Sequence, residues 1–159
     1  MRRIILIVVG GLAALIGLGT VAIMIAARNA QPPIPVGVSN GKLAACPDSP
    51  NCVSTQSTDE LHGLAPLPYS GETDKARSQA LAILQGLPRM IILREEPTYI
   101  HALFRSPTMG FPDDFEIFFD EQAGQIHFRA AARMGRGDMG VNRNRAEQIR
   151  SELEQRLRQ

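Results

Sequence analysis

One uncharged stretch near the N-terminus constrains this chain more than any other feature. Residues Ile4–Ala26 run for 23 positions, IILIVVGGLAALIGLGTVAIMIA, without an Asp, Glu, Lys or Arg. As an α-helix rising about 1.5 Å per residue, such a stretch reaches about 34 Å and crosses the hydrocarbon core of a bilayer. The sequence therefore predicts a short N-terminal stub and a membrane anchor over residues 1–28, followed by a body of ordinary single-domain size.

The basic residues that flank the apolar stretch predict its orientation. Arg2 and Arg3 precede it, whereas only Arg28 follows closely. Because positive charge collects on the cytoplasmic side, we expect a cytoplasmic N-terminus, one pass through the cell inner membrane and a periplasmic body. A cleaved signal peptide is the alternative, but its apolar region is normally about 7 to 15 residues long, and Arg28-Asn29-Ala30 offers no small-x-small cleavage site.

A polar, turn-rich stretch separates the anchor from the body. Residues 29–45 hold three prolines and two glycines without an apolar period, which predicts an extended tether that holds the body off the membrane. Cys46 and Cys52 follow, separated by turn-forming residues. In an oxidising compartment we expect this pair to form a structural disulfide, with a redox pair or a metal-binding pair as the alternatives.

Residues 46–159 carry the periodicities of a folded, exported domain. Apolar residues at three- and four-residue intervals predict helices over 73–87 and 141–157. Apolar runs and alternating patterns predict strands at 90–94, 99–105, 114–120 and 125–131. We therefore expect an α+β fold, in which a transmembrane helix is followed by a small antiparallel sheet covered on one face by two helices.

The last two predicted strands form the clearest local unit. Four residues separate them, which indicates a hairpin in which Ile117 faces Phe128 on the inner side and Glu116 faces Arg129 on the outer side. Asp114 and His127 share that outer side, so acids and bases meet there. We expect this face to be uncovered and therefore open to function.

A glycine- and arginine-rich junction, residues 133–145, connects the hairpin to the last helix. Forked guanidinium groups and the N–H groups of a helix start both suit a phosphate or a carboxylate. We therefore predict a ligand-binding surface composed of Arg105, Asp114, Glu116, Arg129, Arg133, Asp138, Asn142 and Arg143. The competing interpretation is structural, with Arg129 and Arg133 paired to carboxylates of the preceding strand and the last helix capped by Asp138 or Asn142.

Composition and motifs argue against several classes of protein. The 17 Lys and Arg balance 16 Asp and Glu, so the basic excess of a nucleic-acid-binding domain is lacking and we expect no nucleic-acid partner. Neither a P-loop nor a dinucleotide fingerprint occurs, and the three histidines show no metal-site spacing. We predict no catalytic residue, metal or cofactor; catalysis by His101 or His127 on the outer face is a weaker alternative.

Three segments in order resemble a known family. They are CPDSPNCVST at 46–55, YIHALFRSPTMGFPDDFEIFF at 99–119 and IHFRAAARMGRGDMGVNRNRAEQIR at 126–150. Over about residues 43–152 the chain resembles the family catalogued as domain of unknown function 1499. The resemblance implies a shared fold and surface, but no established reaction. The matching motif residues are Arg105, Asp113, Asp114, Glu116, Arg129, Arg133, Gly135, Asp138, Gly140, Asn142, Arg143 and Arg145.

The chain departs from the family pattern at one place on this surface. Where the family typically has R-S-x-S-R, this chain has Arg129-Ala-Ala-Ala-Arg133. Alanines thus replace hydroxyl groups that are able to support a polar site.

These features lead to one main functional hypothesis. We expect a membrane-anchored periplasmic domain that acts as a non-enzymatic binding or accessory module on an envelope or membrane-protein partner. The first alternative is an enzyme or small-anion-binding protein that uses Arg133, Arg143 and Asp138, with Asp114 or Glu116 as acid or base. The second is an accessory subunit that docks through small residues of its membrane helix.

Overall fold

The N-terminal apolar stretch forms one long helix. The structure is a computed structural model that describes residues 1–159, and helix α1 spans Arg2–Asn29. Its side chains are exposed along almost their whole length, and only Ala27, near its C-terminal end, is buried. An 18-residue window of α1 has a mean hydropathy of 2.6 and no buried residue. The helix is therefore long and apolar enough to cross a membrane.

The stretch that follows α1 is not a wholly extended tether. It contains a small antiparallel hairpin of strands β1 (Val38–Ser39) and β2 (Lys42–Leu43). The turn between them is Asn40-Gly41, and both residues have positive φ. Asn-Gly favours such two-residue turns because both residues tolerate a left-handed backbone. Leu43 packs against aromatic side chains of the main sheet. We call residues 30–43 the covering segment.

The body consists of one antiparallel sheet and two helices. The helices are α2 (Thr73–Gln85) and α3 (Val141–Leu157). The strands are β3 (Cys52–Ser54), β4 (Leu67–Pro68), β5 (Met90–Glu96), β6 (Tyr99–Arg105), β7 (Pro112–Asp120) and β8 (Gln125–Ala132). Their order across the sheet is β3-β8-β7-β6-β5, and β4 also pairs with β8. The predicted α+β fold is confirmed.

Most element boundaries agree with the sequence periodicity. Strand β6 and helix α3 begin and end where the sequence predicts. Strand β5 continues through Glu96, two residues beyond the predicted 90–94, so the turn to β6 is Pro97-Thr98. The predicted hairpin register is also confirmed, because Ile117 lies opposite Phe128 and Glu116 lies opposite Arg129.

An apolar core fills the space between one face of the sheet and helices α2 and α3. Its largest fully buried side chains include Phe115, Phe119, Phe128, Ile149 and Leu153. The strand residues come from alternate positions of β7 and β8, and the helix residues form the apolar stripe of α3. Burial of each such side chain stabilises the fold by about 1.5 to 3 kcal/mol. This core fixes which side chains the sheet presents on its opposite face.

The two cysteines form the predicted disulfide. The Cα atoms of Cys46 and Cys52 lie 5.6 Å apart, and no free cysteine remains. Cys52 begins β3 and pairs with Ala131 of β8. The bridge therefore ties the loop after the covering segment to an edge of the main sheet.

Cys46→Ser is expected to lower the free energy of unfolding by about 2 kcal/mol. Without the disulfide the short ring is open, so the unfolded chain gains conformational entropy. The measurement is pulse proteolysis of the full chain in urea and a mild uncharged detergent. A reducing agent should destabilise the wild type to the same extent and leave Cys46→Ser unchanged. Equal stability of the wild type with and without reductant would contradict this prediction.

Candidate functional site

The second face of the sheet, opposite α2 and α3, carries polar and charged side chains. Alternation along β6, β7 and β8 places six of them there: Tyr99, His101, Asp114, Glu116, His127 and Arg129. Each of these residues is at most 7% exposed. The expectation of an uncovered, solvated face is therefore wrong. The covering segment crosses this face, because its peptide groups and Leu43 contact side chains of the sheet.

Glu116 is the centre of the first charge group on this face. Its side chain is fully buried, and its Oε2 accepts a hydrogen bond of 2.8 Å from Nη1 of Arg129. Its Oε1 accepts two more, each of 2.7 Å, from the Tyr99 hydroxyl and from the backbone N–H of Gly37. A buried carboxylate needs such partners to offset its lost hydration. One partner belongs to the covering segment, so Glu116 helps to hold that segment on the sheet.

Asp114 is the centre of the second charge group. Arg133 binds it in a bidentate manner, with Nε 2.9 Å from Oδ2 and Nη2 2.7 Å from Oδ1. His101 Nε2 lies 2.7 Å from the same Oδ1. Nη1 of Arg133 donates a hydrogen bond of 2.8 Å to the carbonyl oxygen of Ala30, one residue after α1 ends. We call the pair Glu116 and Arg129 the first clamp and the pair Asp114 and Arg133 the second clamp. The second clamp holds the covering segment at its junction with the apolar helix.

The surroundings of these groups shift their protonation. Burial alone would raise the pKa of Asp114, but hydrogen bonds from His101 and Arg133 outweigh it and hold the pKa below its usual value. Burial, together with the nearby charge of Glu116, raises the pKa of Tyr99, so its hydroxyl remains a donor. Burial lowers the pKa of His127, whose ring stacks on Phe118 at 6.0 Å. The carboxylate of Asp114 is thus kept ionised inside the structure.

Asp113, the neighbour of Asp114, faces the opposite side of the sheet. It accepts a hydrogen bond of 3.1 Å from Nη2 of Arg145, whose guanidinium lies 4.4 Å from the ring centroid of Phe104. Burial raises the pKa of Asp113 above its usual value, although Arg145 opposes that shift. The two adjacent carboxylates therefore cannot act on one substrate as an acid and base pair, as strand alternation predicts.

The junction between β8 and α3 is ordered by its own polar groups. Asp138 accepts hydrogen bonds from the N–H groups of Gly140 and Asn142, at 3.0 and 2.8 Å. Asn142 in turn donates to the carbonyl oxygen of Asn51 at 3.2 Å, and Asn51 donates to that of Gly135 at 2.8 Å. N–H groups expected to suit an anion at the start of α3 are thus occupied by Asp138.

The remaining predicted site residues lie apart from these groups. Arg143 donates hydrogen bonds of 2.9 Å to the carbonyl oxygens of Gly63 and Leu61. Arg105 donates one of 3.1 Å to the carbonyl oxygen of Gly110, in the loop between β6 and β7. The eight predicted residues therefore divide into two buried clamps, one ordered junction and two separate arginines, Arg143 in α3 and Arg105 at the end of β6.

Four arginines beyond the N-terminus have no carboxylate partner. Beyond Arg2 and Arg3 at the N-terminus, the arginines that form no salt bridge are Arg28, Arg89, Arg105 and Arg136. Only Arg105 belongs to the site predicted from the sequence. The sequence does not identify the others as unpaired, because net charge along the chain does not reveal which arginines meet a carboxylate after folding.

On the second face of the sheet, buried carboxylates and arginines neutralise one another. The two clamps bring together Glu116 with Arg129 and Asp114 with Arg133, as the structural interpretation of these charges predicts. No group of three or more His, Cys, Asp or Glu side chains is arranged to hold a metal ion. Tyr99, His101 and the peptide groups of the covering segment complete the two groups. Alternation along β6 indicated Tyr99 and His101, whereas no local signal indicated the peptide groups of the covering segment.

Fold and site define a small α+β domain attached to one long apolar helix, with a buried charge network on the sheet face away from its core. Residues 42–153 match the family described as Protein of unknown function (DUF1499). The chain belongs to this family. Helix α1 and most of the covering segment lie outside the matched residues. The chain has no significant match among curated proteins.

Proposed function

We propose that the chain is a single-pass protein of the cell inner membrane whose periplasmic domain is a non-enzymatic binding or accessory module. Helix α1 supports the anchor, and Arg2 and Arg3 before it support a cytoplasmic N-terminus. The bond between Cys46 and Cys52 supports export, because disulfides persist in oxidising compartments.

The observation that carries the binding proposal is the exposed tip of the β8–α3 junction. Met139 is fully exposed and has a φ of +56°. Arg136 is exposed and unpaired, and Val141 is 47% exposed. Met and Arg are enriched where proteins bind each other, and a tip held by Asp138 loses little conformational freedom on binding. We therefore assign partner binding to this tip, on the strand-to-helix surface predicted from the sequence.

The buried clamps favour a binding module over an enzyme or a small-anion site. Arg133 already donates to Asp114 and Ala30, and Arg143 to two backbone carbonyl groups. An incoming anion would have to displace these intramolecular acceptors. The carboxylate oxygens of Asp114 and Glu116 likewise accept hydrogen bonds from intramolecular donors, which leaves neither carboxylate free to act on a substrate.

The partner-binding tip makes a direct prediction. In the double variant Arg136→Glu with Met139→Ser, the main membrane partner should be lost after crosslinking in intact cells and affinity capture in mild detergent. Removal of two such anchor residues commonly costs more than about 2 kcal/mol of binding free energy. The matched control is Lys75→Glu, an equal charge reversal at an exposed position of α2. Equal recovery of partners by the double variant and the control would exclude the tip.

The compartment has its own test. A C-terminal reporter active only in the periplasm should be active, and alkylation of intact cells should find Cys46 and Cys52 unreactive until a reductant is added. A reporter active only in the cytoplasm, or two free thiols in freshly isolated protein, would contradict export.

A further inference from the structure

A cleft lies where helix α1 meets the domain. It has a volume of about 660 Å³ and is lined by the last turns of α1, by the start of β5 and by the loop between β6 and β7. Met24 and Arg28 contribute from α1, and Ala27 between them is fully buried. The domain therefore rests against the end of the apolar helix, and the cleft opens beside that end.

The charge of this cleft is unbalanced. Its lining includes Arg28, Arg89 and Arg105 and contains no Asp or Glu. None of these three arginines forms a salt bridge, whereas nine other arginines of the chain do. Arg89 and Arg105 each donate one hydrogen bond to a backbone carbonyl group, which leaves further N–H donors on each guanidinium. Three positive charges that line one cleft without a carboxylate favour an anionic partner from outside the chain.

The apolar lining indicates the kind of anion. Five hydrophobic residues line the cleft: Met24, Met90, Ile91, Leu103 and Met109. Ile91 is 52% exposed, and Leu93, farther along β5, is 46% exposed. Inorganic phosphate has no apolar surface to bury against such side chains, whereas the first methylene groups of a lipid do. The cleft thus combines donors for a phosphate with a surface for hydrocarbon.

The position of the cleft supports the same ligand. When Ile4–Ala26 cross the hydrocarbon core, Arg28 lies at the level of the lipid headgroups, with Met24 one turn deeper. Guanidinium groups bind phosphate in a bidentate manner, and basic pockets beside membrane helices bind anionic headgroups.

We propose that this cleft binds the headgroup of an anionic glycerophospholipid from the leaflet at which α1 ends. The phosphate lies among Arg28, Arg89 and Arg105, and the acyl chains run back along Met24 and the exposed apolar residues of β5. This inference rests on the membrane anchoring proposed above. It does not depend on a protein partner or on the side of the membrane that the domain faces.

The experiment uses the full chain reconstituted into nanodiscs of phosphatidylcholine with phosphatidylglycerol, followed by native mass spectrometry of the lipids that stay bound after mild-detergent extraction. The wild type should retain phosphatidylglycerol in preference to phosphatidylcholine. Arg28→Gln and Arg89→Gln should each weaken that retention by about fivefold per arginine removed. The matched control is Lys75→Gln, which neutralises an exposed cation of α2 outside the cleft and should retain phosphatidylglycerol like the wild type. Arg28 belongs to α1, so its variant reports on the cleft even if Arg89→Gln disturbs the domain.

Each other outcome overturns the inference. Equal retention of the two lipids, or retention by Arg28→Gln equal to that of the wild type, would mean that the cleft does not select a headgroup. Calorimetric binding of inorganic phosphate to lipid-free protein in uncharged detergent, abolished by Arg89→Gln, would assign the cleft to a soluble anion. Release of the wild type from membranes by alkaline carbonate would refute the anchoring and this inference together. Retention under carbonate with no lipid preference would refute this inference alone.

Discussion

Glu116→Ala is expected to lower the free energy of unfolding by about 3 to 5 kcal/mol, because it leaves the buried charge of Arg129 without its partner. The hydroxyl of Tyr99 and the N–H of Gly37 lose their acceptor in the same step. The measurement is pulse proteolysis of the full chain in urea and mild detergent. The matched control is Glu147→Ala, whose carboxylate is 51% exposed and lies 3.7 Å from Arg143, and which should cost less than about 1 kcal/mol.

A second variant separates the charge pair from the covering segment. Glu116→Leu combined with Arg129→Met removes both charges, so it should destabilise the fold less than Glu116→Ala does. In both variants the amide of Gly37 should exchange hydrogen faster than in the wild type, because its acceptor is gone in each. If Glu116→Ala costs no more than Glu147→Ala, or if Gly37 exchange is unchanged, Glu116 does not hold the covering segment.

Asp114→Asn and Asp113→Asn should change the pH dependence of stability in opposite directions. The pKa of Asp114 is lowered in the folded state, so its contribution is present above the unfolded value of about 3.9 and is lost as pH falls through the folded value. The pKa of Asp113 is raised, so its contribution is present below about pH 3.9 and is lost as pH rises through the folded value.

At neutral pH, Asp114→Asn is expected to cost about 3 kcal/mol, because Arg133 and His101 lose a charged acceptor. This cost should shrink as the pH falls below about 4, because the unfolded wild type then binds a proton at Asp114 before the folded protein does. Asp113→Asn should instead become more favourable relative to the wild type as pH rises. Urea unfolding of the three proteins across this pH range is the measurement, and shifts of the same sign in both variants would contradict the assignment of the two carboxylates.

The local spacing of apolar residues predicted much of the fold. Alternation in residues 114–120 and 125–131, with a four-residue turn, was sufficient for the hairpin and its register. That register also places Glu116 opposite Arg129, which is the first clamp. The apolar stripe of α3 predicted its bounds because every core-facing residue of that helix recurs at helical spacing.

The covering of the second sheet face could not be predicted in the same way. Gly37 and Glu116 are separated by 79 positions, and Ala30 and Arg133 by 103. Both contacts use backbone groups of the covering segment, which carry no sequence signal of their own. Asn40-Gly41 is a turn-forming pair, but the prolines and glycines of residues 29–45 led to the prediction of an extended chain. The covering segment could be placed only by knowing that Glu116 and Arg133 hydrogen-bond to its backbone.

The contact between Arg133 and Ala30 restricts how the domain can meet a partner. A free stretch of residues 29–45 would let the domain search a hemisphere about 50 Å in radius above its anchor. Arg133 binds the carbonyl oxygen of Ala30, one residue beyond the end of α1. The domain is therefore held next to the helix and rotates together with it. With α1 in a membrane, as proposed above, the domain meets molecules beside it in the membrane plane, and proteins that diffuse freely at a distance are beyond its range.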